Sequence, residues 1–194
     1  MVTSVASSAA TSGVEPKPGN MYLVEERRPK LSYELFEQML SSGFAGMIVT
    51  RDFPQKLLNE RGMGHCRVLW LTNLVGESRI NPTAIGILMG QIRNFVETNP
   101  RSALMLDGLE YLISVNTYDR MFQFLHQLLD VVVTNDSVLF VPIDPRTLTQ
   151  RELALLERSM EPIVPVIAEG EPADESVLGA GEMGVLKLLD VRHR

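Results

Sequence analysis

The chain has 194 residues, 45% of them hydrophobic, and a formal net charge of −6, enough for one domain with a sizeable core and short tails. No apolar run approaches the roughly 18 residues of a membrane span, and no domain-wide basic field exists to draw in nucleic-acid phosphates. A single cysteine, Cys66, and three separated histidines leave no internal disulfide and no close-spaced zinc motif, which suits a reducing, cytoplasmic setting.

Residues 1–19 are rich in Ser, Ala, Thr, Gly and Pro and carry neither a basic start nor an apolar core. They read as a disordered tail and not as a secretory signal. Met21-Tyr-Leu-Val24 is a short strand, and the charged loop through Pro29 leads to a helix with Ser32 as the expected N-cap and Glu34 in its first turn. Leu35, Phe36, Met39 and Leu40 recur at helical spacing up to Gly43. Ala45-Gly-Met-Ile-Val49 is a second strand, and Pro54 opens the next helix. Val68-Leu-Trp-Leu71 is a third strand. Asn81-Pro82 is the expected start of the helix whose stripe is Ile85, Leu88, Met89, Ile92, Phe95 and Val96.

The uninterrupted apolar run Ala103 to Leu106, followed by Asp107-Gly108, reads as a buried parallel strand feeding a helix. Tyr118 to Val132 carries another apolar helical stripe, and Val138-Leu-Phe-Val141 is a fifth strand. Thr149 and Glu152 form a capping box. Ile163-Val-Pro-Val-Ile167 is a candidate edge strand, where a proline is tolerated. Strands alternating with helices predict a three-layer α/β/α domain over residues 20–168, with a mainly parallel sheet of about five or six strands, P-loop-NTPase-like or Rossmann-like. Residues 169–194 form an acidic linker and an apolar segment. There Leu178, Met183, Leu186 and Leu189 are expected to dock, on this domain or on a partner.

Several pieces occur in an order that carries a resemblance: Gly43-Phe-Ala-Gly-Met-Ile-Val-Thr-Arg51 with Pro54, Val68-Leu-Trp-Leu-Thr72, Asp107-Gly-Leu-Glu-Tyr-Leu-Ile113 with Asn116, Val141-Pro-Ile-Asp-Pro145 and Leu155-Leu-Glu-Arg158. From about Met21 to Met160 the chain resembles the archaeal domain-of-unknown-function 835 family. That family is similar to the circadian-clock and recombinase type of ATPase core, without its phosphate loop. The resemblance implies a regulatory or signalling domain and no known reaction.

Strand ends of this fold bring Thr50, Arg51, Thr72, Asn73, Asp107, Glu110 and Asp144 toward one edge of the sheet, where ligands bind in open α/β proteins. Arg51 would supply donors and Asp107 acceptors; the favoured reading is structural, with the same residues capping helix N-termini and Arg51 paired with a carboxylate. Asp107 sits where a Walker B aspartate would hold magnesium, but the chain has no G-x-x-x-x-G-K-[ST] to cradle the phosphates that complete such a site. No metal, cofactor or catalytic residue is assigned, and ATP hydrolysis is not expected. His65 and Cys66 are chain neighbours whose side chains diverge, which argues against a catalytic pair. Two functions follow: a non-catalytic interaction module with a protein partner or a second copy of itself, or a nucleotide or small-molecule binder or enzyme using the crevice near Asp107.

Overall fold

The five longer strands of the domain each carry a run of four to six apolar residues that a pleated, buried backbone accommodates well. The computed structural model describes residues 14–165. In chain order its elements are β1 (Asn20–Glu25), α1 (Leu31–Ser41), β2 (Ala45–Thr50), α2 (Pro54–Arg61), β3 (Arg67–Leu71), β4 (Arg79–Ile80) and α3 (Ile85–Thr98). There follow β5 (Ser102–Asp107), α4 (Leu109–Val115), α5 (Tyr118–Thr134), β6 (Val138–Ile143), a 3-10 turn (Pro145–Thr147), α6 (Gln150–Ser159) and β7 (Glu161–Ile163).

The strands form one parallel sheet in the order β4-β3-β2-β5-β6-β1-β7. The path along it reverses once. From β1 the chain steps one way through β2 and β3 to β4; it then returns through β5 and β6 to β7. Right-handed crossovers put the outward connections on one face and the returning ones on the other. The two cores follow this division. Tyr22, Val24, Ile48, Met105 and Phe140 face Leu35, Phe36 and Met39 of α1 and Leu57 of α2. Leu23, Met47, Val49, Leu104, Leu106 and Val141 face α3 to α6, including Leu88, Ile92, Leu125, Leu128 and Leu156. The period-2 alternation of β1 and β5 is thus shared between two buried faces, which is why these strands read as continuous apolar runs.

Several local expectations are corrected. The sheet has seven strands, because the two-residue β4 is too short to show any pattern. The edge strand near the end of the domain is Glu161–Ile163, two residues earlier than expected, with Pro162 at the sheet edge. Ser32 lies inside α1, whose N-terminus is closed instead by the Glu26 carboxylate, which accepts from the backbone N–H of Lys30, Leu31 and Ser32 at 2.9, 2.8 and 3.0 Å. Asn81 heads a turn, accepting from Thr83 N at 2.9 Å, and α3 begins four residues later at Ile85. The Thr149–Glu152 capping box is present as expected. Residues 14–19 run along the body: Val14 packs on the α1-side core and Gly19 N donates to Ser137 O at 2.7 Å.

Candidate functional site

Strands β2 and β5 are neighbours that leave the sheet toward opposite faces, β2 into α2 and β5 into α4. Their carboxyl ends therefore part and leave a crevice, the usual ligand position of an open parallel sheet. The register places Thr50 directly beside Asp107 at its floor. Gly108 (φ +133) makes the turn out of β5; a Cβ there would lie 3.4 Å from Leu71 Cδ1 and 3.6 Å from Arg51 N.

Asp107 Oδ2 accepts two hydrogen bonds, from Tyr33 Oη at 3.0 Å and from Thr50 Oγ1 at 3.4 Å. Burial pushes its carboxyl up to about 6; the Tyr33 and Thr50 bonds oppose that rise, while the charges of Asp52 and Glu110 add to it. Burial also raises the Tyr33 phenol far above its usual range, and the adjacent Asp107 reinforces the effect. Tyr33 was not among the residues expected here. It arrives in the first turn of α1, after a crossover from β1 that carries the helix over β6 and β5. The Arg61 guanidinium covers its ring at 3.9 Å and donates to Pro29 O at 2.9 Å. This arrangement can hold or release one proton near neutral pH at the Asp107 carboxylate.

The other expected residues lie around this centre, mostly engaged with the protein itself. Arg51 Nη1 donates to Leu71 O at 3.1 Å, and its guanidinium lies over the Tyr111 ring at 4.9 Å. Thr50 Oγ1 also accepts from Asp52 N at 3.0 Å, and Thr72 Oγ1 from Leu74 N at 3.2 Å. Asn73 is exposed in the loop after β3. Glu110 accepts from Asp144 N at 3.0 Å, tying α4 to the end of β6. The Asp144 carboxylate grips Arg146, whose hydrogen bond holds it down to about 2. Thr50 and Asp107 therefore meet, Glu110 and Asp144 form a second link beside them, and Arg51, Thr72 and Asn73 belong to the β3 side. Among the described residues no group of three or more His, Cys, Asp or Glu side chains is placed to hold a metal ion. Burial raises the Cys66 thiol to about 11, which keeps it protonated. Leu178, Met183, Leu186 and Leu189 lie outside the described residues.

A second feature has a different character. Phe53, Leu74, Val75 and Ile87 are large apolar side chains that are exposed, on the loops and helix adjoining β3 and β4. Phe53 meets Trp70 edge-to-face at 5.3 Å, and Arg79 lies over the Trp70 ring at 5.6 Å. Beside them a recess of about 410 Å³ is bordered by Arg67, Leu69, Glu77, Arg79, Ile80 and Ile87.

The model of a family described as protein of unknown function (DUF835) matches residues 25–160. No curated protein matches the chain. No helix among the described residues is long and apolar enough to cross a membrane.

Proposed function

The chain belongs to the DUF835 family, and from that premise and the geometry above we propose that it is a non-catalytic regulatory or signalling module of the archaeal cytoplasm, built on an ATPase-like core and working by binding another protein. The observation that carries this reading is the connection from β1 to α1. In a phosphate-binding ATPase core that connection is a glycine-rich loop opening onto a helix N-terminus. Here it reads Glu25-Glu26-Arg27-Arg28-Pro29-Lys30. The Glu26 carboxylate, held by three backbone N–H groups and the Ser32 hydroxyl, already occupies the anion position. A phosphate would have to displace a resident charge that is covalently attached. The engaged polar groups of the crevice and the apolar corner at β3–β4 support the same reading, since exposed apolar clusters of this kind mark interaction surfaces.

One feature favours a second reading, a small-molecule or nucleotide site or an enzyme at the crevice: burial pushes the Asp107 carboxyl up to about 6 beside a buried phenol, and perturbed groups gather at functional sites. Thermal denaturation with millimolar ATP, ADP or GTP and magnesium separates the two, because a ligand of the folded state raises the melting temperature. The interaction module predicts no rise. A rise that Asp107→Asn abolishes would overturn it in favour of the crevice.

A further inference from the structure

The loop that follows β2 ties the crevice to the apolar corner. Thr50 Oγ1 donates to Asp107 Oδ2 at 3.4 Å and accepts from Asp52 N at 3.0 Å. Between them in the chain, the Arg51 carbonyl accepts from Trp70 Nε1 at 3.1 Å. Phe53 then meets the Trp70 ring edge-to-face at 5.3 Å. Residues 50–53 thus join a largely buried carboxyl to an aromatic pair at the surface through contiguous contacts, the kind of connection that can carry coupling between two places.

Charge around Asp107 is one-sided. Its two hydrogen-bond donors, Tyr33 of α1 and Thr50 of β2, are neutral. Arg61 of α2 lies over the Tyr33 ring and donates to Pro29 O. Arg51 donates to Leu71 O and lies over Tyr111 of α4. The carboxylates of Asp52 and Glu110 both oppose ionisation of Asp107. Loss of its proton sets a third negative charge beside them, where water screens it poorly. Tyr33 and Thr50 hold that new charge in place. Glu110 is fastened to Asp144 N at the end of β6, at 3.0 Å. Asp52 is exposed on a short loop, so it is the carboxylate that can retreat into water. We propose that the proton on Asp107 sets the position of the loop 51–53. With the acid neutral, the loop lies as described; once the acid ionises, Asp52 moves toward solvent and draws Phe53 off the Trp70 ring. A local change of charge then has a readout at the corner. The corner is tuned and not dismantled, because Leu74, Val75 and Ile87 stand on other segments. That consequence for a partner rests on the reading of the corner as an interaction surface; the loop movement itself does not.

Trp70, the sole tryptophan, reports the loop in the folded chain with no partner present. Its quenching by acrylamide in the wild type is expected to rise about twofold between pH 5 and 7.5, with a midpoint at about 6. Asp107→Asn, which keeps the neutral state, is expected to stay at the low-pH level throughout. Asp52→Asn removes the repulsion from an exposed position, so its rise is expected to be smaller, with its midpoint moved to lower pH. No rise in the wild type, or a rise that persists in Asp107→Asn, overturns the proposal. A rise that Asp107→Asn removes and Asp52→Asn leaves unchanged overturns it as well, since the charge would then act without displacing Asp52. Such a failure leaves the interaction reading to its own test by capture of a partner.

Discussion

Replacing Asp107 with asparagine should stabilise the protein at neutral pH, and the size of the gain can be worked from the site. The carboxyl stands at about 6 in the fold against an ordinary 3.8, with burial the main cause. A folded-state value above the unfolded one means that the fold favours the protonated acid. The stability this gives is complete below pH 4 and is lost as pH rises through 6. At 1.36 kcal/mol per pKa unit, the gap between 3.8 and about 6 corresponds to about 3 kcal/mol. Asparagine keeps an oxygen that can accept from Tyr33 and Thr50 and carries no charge, but its NH2 needs a partner that the site does not offer, so a net gain of about 2 kcal/mol is expected at pH 7.5. Urea denaturation between pH 4 and 8, followed through the fluorescence of Trp70, the sole tryptophan, measures this directly. The advantage of the variant should fall as pH drops and reverse near pH 4 to a deficit of up to about 1 kcal/mol, where only the cost of the unpartnered NH2 remains. A difference that does not vary with pH, or a variant less stable at every pH, would refute the account of Asp107 as a carboxylate held against its preference.

Three further perturbations probe the neighbouring structure. Tyr33→Phe removes the 3.0 Å donor to Asp107; it should cost about 1–3 kcal/mol above pH 6, where the acceptor is charged, and less at pH 4, as read by the same titration. Glu26→Ala frees three N–H groups at the start of α1 and should cost about 1–2 kcal/mol in denaturation; if the carboxylate occupies an anion position, inorganic phosphate should then raise the melting temperature of the variant but not of the wild type. Gly46→Ala would bring its Cβ within 2.7 Å of both Cys66 Sγ and Leu40 Cδ2, an overpacking expected to lower stability by about 1–3 kcal/mol.

Much of the architecture was legible because it rests on local pattern. The run from Ala103 to Leu106 read as a strand covered on both faces, and its end at Asp107-Gly108 marked the carboxyl edge of the sheet. What was not legible depends on distance in the chain. Tyr33 reaches Asp107 across 74 residues, and nothing near Tyr33 in sequence says that α1 will lie across β5. Arg51 carried the signature of a ligand donor, yet its guanidinium is engaged by a carbonyl of β3 and the ring of Tyr111, contacts that depend on strand order. The cap of α1 was sought in Ser32, at the usual spacing, while a longer side chain six residues earlier folds back to do the work. Two-residue β4 has no periodicity to detect, and so it emerged only from the sheet register.

The most direct test of the interaction module is a comparison of capture from a native cell extract by three versions of the 194-residue chain: wild type, a variant with Leu74→Asp, Val75→Asp and Ile87→Asp, and Asp107→Asn. The account predicts a protein partner retained by the wild type and by Asp107→Asn and lost from the corner variant, with all three folded by circular dichroism. A partner that survives the corner changes and disappears with Asp107→Asn would contradict it and move the function to the crevice.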